Sequence, residues 1–160
     1  MPVRDELLIT KDIHPGQELL LSILLTRELV SRWSDERLFK PAGITDQQFN
    51  VMRILKGGPP EGSLIREIRR RILTCRADVP RLVDRMVRGG LVTRREDPAD
   101  RRGCRVSLTP RGAELEARLA PVHDALCREV EELLSREDRE ALQGLLDAFR
   151  AGIQRKLRQA

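Results

Sequence analysis

The sequence predicts a mainly α (α+β) fold, with a head of short helices and one β hairpin between long helices at the two ends. Three observations lead to this expectation. Apolar residues recur at helical spacing over residues 16–33 and again from residue 110 almost to the end. Between them, residues 91–108 contain two β-favouring runs separated by turn formers. The expected division is an N-terminal arm and dimerisation helix at 1–40, a central head at 41–112 and C-terminal dimerisation helices at 113–160.

The first long helix, at 16–33, follows a loose arm of mixed charge and proline at 1–14. Its leucines cover more than one side, so it needs several apolar partners, and a second copy of the chain could supply one. The next helix is expected at 45–56, because Thr45 followed by Gln48 has the form of a capping box. A Gly-Gly-Pro-Pro run ends it.

Two further helices are expected in the head, at 63–71 and 76–88. Ser63 is the expected cap of the first, a tight break near Leu73 separates the two, and consecutive glycines end the second. Apolar residues at helical spacing give each helix an inward face, which leaves several arginines outside.

The hairpin follows directly, with expected strands at 91–95 and 105–108. Asp97, Pro98 and Gly103 between them are turn formers. Helix, turn, helix and basic hairpin together predict a winged helix-turn-helix, in which the second helix enters the DNA major groove.

The C-terminal part begins with Thr109, the expected N-cap of a helix with proline in its first turn. Apolar residues then recur in steps of four and three, as in a coiled coil, and Ser135 with Asp138 should end one helix and cap the next. Pro121 should kink its helix or end one turn. The head is too small to bury the apolar rows of both C-terminal helices, so we expect them to form a dimer with a second copy of the chain. The alternative is that they pack on each other as an intramolecular helical hairpin. The expected dimer contacts are Leu20, Leu24, Leu119, Leu126, Leu142, Leu146, Phe149 and Ile153.

The composition excludes several classes of protein. No apolar run approaches the roughly 18 residues of a membrane span, and no signal segment opens the chain, so we expect a cytoplasmic protein without a membrane partner. The three cysteines are odd in number and widely spaced, and there are two histidines, so we expect no disulfide framework, metal or cofactor. The absence of tyrosine, a phosphate loop and a nucleophile motif also argues against an enzyme.

The positive charge is concentrated in the head. The net charge is +5, yet residues 66–105 contain thirteen arginines against six acids, so the rest of the chain is slightly acidic. A solvated helix face is the ordinary explanation of a charge run. Its coincidence with the helix-turn-helix and hairpin favours binding to the phosphates of double-stranded DNA.

Four segments resemble the MarR family of bacterial transcriptional regulators: 81–86 its recognition helix, 90–92 its first wing strand, 97–102 its wing tip and 108–112 the start of its next helix. The likeness runs from about residue 45 to 112. It implies a homodimer joined by the terminal helices that binds a pseudopalindromic operator and usually represses a nearby gene. Many members release DNA when an aromatic or phenolic compound, an oxidant or zinc binds.

The expected DNA contacts lie on the second head helix and the hairpin. Arg76 and Arg81 are candidates for bases or adjacent phosphates, because arginine can pair bidentately with guanine. Arg85 could act likewise, or could pair with Asp84 or Glu67. The arginines on the two strands, Arg94, Arg95 and Arg105, could contact DNA or could be solvated charges on the strand face. The full set is Thr74, Cys75, Arg76, Asp78, Arg81, Arg85, Arg94, Arg95, Asp100, Arg101, Arg102 and Arg105.

The resemblance assigns Arg102 to the wing arginine, which we expect in or beside the minor groove, with Arg101 as its accessory. Because an acid near DNA is a poor direct contact, we expect Asp100 to orient Arg102 or another nearby arginine by a charge-assisted hydrogen bond. Two residues depart from the family pattern. Pro80 stands where a small hydroxyl residue is usual, so the regular helix is expected to begin only near Asp78, whose carboxylate would lie near phosphates.

The resemblance also implies a small-molecule effector between the helical interface and the head. The residues expected to line this pocket are His14, Trp33, Phe49, Met52 and Arg53. Phe49 and Met52 could equally be core residues, and Trp33 a dimer contact. Two alternative functions remain: a protein-interaction module that does not bind DNA, and a redox-sensing regulator that uses Cys75 at a helix start beside Arg76.

Overall fold

The computed structural model of the protein describes residues 2–73, 78–98 and 100–159, and gives the backbone alone for 100–102. The chain forms two compact units, Met1–Leu119 and Ala120–Ala160. The first contains the head with its sheet, and the second contains helices only. No helix in the described ranges combines the length and apolar character needed to cross a membrane.

The N-terminal segment is more ordered than the loose arm we expected. It contains a one-turn helix α1 (Val3–Glu6), and Arg4 forms ion pairs with Asp12 at 3.3 Å and Glu18 at 3.6 Å. Helix α2 (Pro15–Ser34) then begins at His14, whose Nδ1 accepts a hydrogen bond from the Gly16 backbone N–H at 3.0 Å. These contacts tie the arm to the start of α2.

The chain remains helical beyond Trp33, where the sequence pattern suggested an end. A π-helical turn (Asp35–Phe39) and a short helix α3 (Lys40–Ala42) continue it to Gly43. Leu38 and Phe39 on the π turn are buried, and the Phe39 ring lies 5.7 Å from the ring of Phe49. Packing against the head therefore keeps this segment helical where its own sequence pattern fades.

The head contains helices α4 (Asp46–Lys56), α5 (Ile65–Arg71) and α6 (Val79–Arg88). The capping box expected at the start of α4 is confirmed: Thr45 Oγ1 accepts from the Gln48 N–H, and Gln48 Oε1 accepts from the Thr45 N–H. The helices enclose an apolar core. Its members below 5% exposure include Phe49, Val51, Met52, Leu64, Ile68, Val79, Leu82, Val83, Met86, Val92 and Val106.

The sheet has three antiparallel strands in the order β1, β3, β2, where a two-stranded hairpin was expected. The additional strand is β1 (Ser63–Leu64), and Ser63 pairs with Val106 of β3. Our expectation that Ser63 caps a helix was therefore wrong. Helix α5 begins after Leu64, whose backbone N–H donates to a Glu67 carboxylate oxygen at 2.9 Å.

The hairpin strands are longer than predicted, because β2 is Val92–Asp97 and β3 is Asp100–Leu108. Their register shifts at Glu96 and Asp97, which face Cys104 and Asp100, so β3 has three extra residues there. Gly103 lies among these residues and is part of a bulged strand, whereas we had assigned it to the turn. A bulge of this kind increases the local twist of a hairpin.

Helix α7 (Pro110–Glu132) and helix α8 (Arg136–Gln159) complete the chain. Ser135 Oγ accepts from the Asp138 N–H at 3.1 Å, which confirms the predicted cap. Pro121 lies inside α7 and does not end it. Helix α8 has no buried residue in the single chain, and Leu142, Leu146 and Ile153 are 46%, 37% and 45% exposed.

Candidate nucleic-acid interface

Helix α6 has one apolar and one charged face. Val79, Leu82, Val83 and Met86 are at most 2% exposed and hold it on the core. The charged residues of the helix and of its N-cap position are all exposed: Asp78, Arg81, Asp84, Arg85 and Arg88. This helix therefore presents arginine to solvent from a fixed position.

The start of α6 explains how its proline is accommodated. Asp78 is the N-cap residue and Pro80 lies in the first turn, where the backbone N–H that proline lacks has no partner within the helix. The expectation that the regular helix begins near Asp78 is confirmed. Three expected contacts just upstream, Thr74, Cys75 and Arg76, lie outside the described residues.

Arg94 on β2 links the hairpin to α6. Its Nη1 donates to Asp84 Oδ1 at 2.9 Å, and its Nε donates to Cys104 Sγ on β3 at 2.8 Å. The hydrogen bond to Cys104, with the nearby carboxylate of Asp84, holds the pKa of the Arg94 guanidinium above its usual value. Asp84 thus pairs with the hairpin, whereas we had considered it as a partner for Arg85.

Arg105 lies in the middle of β3 and is held by Asp97 at the end of β2 and by the loop before β1. Its side chain is 19% exposed; Nε donates to Asp97 Oδ1 at 3.2 Å, and Nη1 donates to the Gly62 carbonyl at 2.9 Å. The Asp97 side chain is 4% exposed, so this ion pair is largely shielded from water. Arg105, which we had placed among the DNA contacts, therefore serves the fold of the hairpin.

Arg95, which faces Arg105 across the two strands, is exposed and donates to the Glu61 carbonyl. The wing tip follows, where residues 100–102 form the first part of β3. The side chains of Asp100, Arg101 and Arg102 lie outside the described atoms.

The end of the hairpin is fastened to the next helix by Thr109. Its Oγ1 donates to the Gly90 carbonyl at 2.7 Å and accepts from the Gly112 N–H at 2.9 Å, which confirms Thr109 as an N-cap. A Cβ at Gly112 would overlap the Leu91 carbonyl oxygen. The Leu-Thr-x-x-Gly segment therefore has a physical explanation: threonine caps the helix, and only glycine lets it approach the strand so closely.

Helix α5 adds a cationic surface that we had not assigned to DNA. Arg66, Arg69, Arg70 and Arg71 are all exposed on this seven-residue helix, and its one acid, Glu67, is engaged at the N-terminus. The sequence shows these arginines as a run of positive charge, but it does not show that they are all exposed on one short helix. Arg71 Nη1 also donates to the Ile54 carbonyl at 3.3 Å.

Comparison with known proteins gives consistent results. A family model described as MarR family matches residues 42–103. The transcriptional regulator HosA of Escherichia coli O111:H- is 31% identical over 124 residues, covering 76% of this chain and 86% of HosA. The chain belongs to the MarR family. As a MarR-family protein it is a DNA-binding transcriptional regulator and not an enzyme.

Two further proteins are similar to this chain. The HTH-type transcriptional regulator YkoM of Bacillus subtilis is 29% identical over 84 residues, which cover 52% of this chain and 53% of that relative. The MarR-family regulator Sco3205 of Streptomyces coelicolor, solved in complex with DNA, superposes with a TM-score of 0.77 at 25% identity, covering 91% of this chain and 93% of that one. The similarity to Sco3205 thus includes the terminal helices as well as the MarR-family head.

The residues expected to line an effector pocket of this MarR-family protein lie in different environments. Phe49 and Met52 are buried in the head at 3% and 0% exposure, and His14 caps α2. Trp33 is half-buried, with the Arg37 guanidinium 5.3 Å from its ring centroid. Arg53 is exposed and lies 6.0 Å from the centroid of Phe49. Phe49 and Met52 thus have the burial of core residues.

Proposed function

We propose that this regulator is a homodimeric repressor that binds a pseudopalindromic operator and releases it when a small-molecule effector binds. The observation that carries the proposal is the division of α6 into a buried apolar face and an exposed arginine face beside a basic hairpin. A helix held in this way can enter the major groove while the hairpin reaches the adjacent minor groove.

Dimerisation is supported by apolar side chains left uncovered on the long helices. Leu20 and Leu24 on α2 are 52% and 58% exposed, and α8 has a row of half-exposed apolar residues. An apolar surface this extensive usually marks a contact with another protein. A two-fold dimer would present its two α6 helices to successive major grooves, roughly 34–36 Å apart.

We assign the DNA contacts to three groups of arginines. Arg81 and Arg85 on α6, with Arg76 before it, read base edges or adjacent phosphates. Arg101 and Arg102 enter or flank the minor groove. Arg69 and Arg70 on α5 contact phosphates, since the first helix of a helix-turn-helix crosses the DNA backbone.

The effector in this proposal is a small aromatic or phenolic compound. A compound that also carries a carboxylate could form an ion pair with an arginine beside the ring. The support comes from Trp33, whose ring centroid lies 5.3 Å from the Arg37 guanidinium. An acidic aromatic ligand could pair with Arg37 and stack on the half-buried ring of Trp33. Its binding would weaken the DNA complex if the effector binds the DNA-free conformation of the protein more tightly than the DNA-bound conformation.

A salt titration tests the DNA-binding proposal. A duplex is selected from a random pool by repeated rounds of binding, and its affinity is measured from 50 to 200 mM salt. With six to ten phosphate contacts per dimer, affinity should fall by about 10³- to 10⁵-fold, because the contacts release counterions. A flat response would contradict the proposal and favour a protein-interaction module.

Arg102→Ala is expected to weaken binding to the selected duplex by about tenfold or more while the dimer stays intact, because one minor-groove contact is lost in each protomer. Affinity is measured by fluorescence anisotropy and assembly by light scattering. Arg27→Ala, which removes the same charge from an exposed position on α2, is the control. Equal affinities for the two variants would remove Arg102 from the interface.

A further inference from the structure

One cationic side chain bridges the two elements that would touch the duplex. Asp84 belongs to α6, Arg94 to β2 and Cys104 to β3, and Arg94 contacts both of the others within 2.9 Å. Hydrogen bonds between backbones join β2 to β3, but they do not set the angle of the hairpin to α6. The contact from Arg94 to Asp84 acts directly on that angle.

The geometry leaves Arg94 poorly placed to be a phosphate contact in its own right. Two of its three nitrogens already donate within the protein. Both interactions favour the charged form of the guanidinium. The side chains of Arg94 and Asp84 are 44% and 54% exposed, so the pair is accessible to substitution without opening the core.

We propose that Asp84, acting through Arg94 with Cys104 as the second acceptor, positions the wing relative to the recognition helix. Arg94 is thus a positioning residue and not a DNA contact. This inference rests on the proposed function, because an angle between helix and hairpin matters for affinity only when both meet the same duplex. The Asp84–Arg94 pair favours the conformation in which α6 lies in the major groove while the hairpin reaches the adjacent minor groove.

Asp84→Ala distinguishes a positioning role of Asp84 from simple charge repulsion between its carboxylate and the DNA phosphates. Removal of a carboxylate near DNA should strengthen binding if charge alone matters, whereas loss of positioning should weaken it. We expect about two- to fivefold weaker binding per protomer, the range that exposed ion pairs span. Glu96→Ala, at an exposed carboxylate on β2, is the matched control and should bind as tightly as the wild type or more tightly. Equal or tighter binding by Asp84→Ala would overturn the inference.

Arg94→Ala provides the second variant. The slope of log affinity against log salt should stay at the wild-type value, because no phosphate contact is lost. The double variant Asp84→Ala/Arg94→Ala should bind no more weakly than either single variant, since both break the same link. A shallower slope, or additive losses in the double variant, would refute the positioning role.

A measurement without DNA separates this inference from the proposed function. In the free protein, ¹⁵N order parameters of residues 94–106 should fall in Asp84→Ala and remain unchanged in Glu96→Ala, because only the first variant releases the hairpin. Unchanged order parameters in both variants would contradict the inference. Failure of the wild type to bind any duplex would instead contradict the proposed function.

Discussion

Leu146→Arg is expected to convert the protein to a monomer and to abolish operator binding with it. Leu146 lies on α8 with a side chain that is 37% exposed, between the half-exposed Leu142 and Ile153. A charge placed on this row would be buried without a partner in the dimer, at a cost of about 3 kcal/mol in each protomer. The dimer dissociation constant should therefore rise by at least about 100-fold.

The same substitution should leave the fold of the chain intact, because α8 has no buried residue in the single chain. Helicity is measured by circular dichroism, assembly by sedimentation and affinity by anisotropy. Ala148→Arg is the control, since this exposed alanine lies on the opposite side of α8. An undisturbed dimer in Leu146→Arg would remove α8 from the interface. Loss of the dimer in Ala148→Arg would show that the effect is not specific to one face.

Arg105→Ala is expected to lower the free energy of unfolding by about 3 kcal/mol, because it removes the arginine partner of a buried carboxylate. Asp97 is 4% exposed, and Arg105 supplies its ion pair while also donating to the Gly62 carbonyl. For a chain of this size the loss corresponds to a decrease in Tm of about 6–12 °C. The contacts of β3 with β1 and with the end of β2 should loosen first, so amides of β1 and β3 should exchange faster than those of α4.

The control for this prediction faces Arg105 across the sheet. Arg95→Ala removes the same charge from an exposed side chain on the neighbouring strand, so Tm should change little. Thermal unfolding followed by circular dichroism measures both variants. If Arg95→Ala were as unstable as Arg105→Ala, overall charge and not the buried pair would be responsible.

Local features of the fold could be predicted because their physical causes are local. The capping groups of Thr45, Thr109 and Ser135 each satisfy backbone N–H groups within three residues. The hairpin and the end of α6 were likewise signalled by turn formers and by two consecutive glycines. Such signals depend on a few neighbouring residues and not on the rest of the chain.

Features that depend on distant residues could not be predicted. Strand β1 consists of two residues and forms because Val106, over forty positions away, pairs with Ser63. A serine before a helix has the same local pattern as an N-cap, so the sequence favoured the wrong role. The π turn after α2 likewise depends on the burial of Leu38 and Phe39 against the head.

The arginines show the same limit for the candidate site. Arg94, Arg95 and Arg105 are alike in sequence as strand cations, yet one bridges to α6, one is exposed and one is held against Asp97. Charge density indicated a candidate surface, but it could not separate side chains that face outward from those that hold the hairpin. Only the partner of each guanidinium makes that distinction.

In the proposed dimer, the uncovered leucines on α2 and α8 would also make the folded state dependent on the amount of protein present. A chain that completes its apolar core by association gains stability through mass action, so dilution favours both separation and unfolding. A cell that makes few copies of such a dimer would keep fewer of them in the folded form, and the number of molecules would itself affect how fully its DNA sites are occupied.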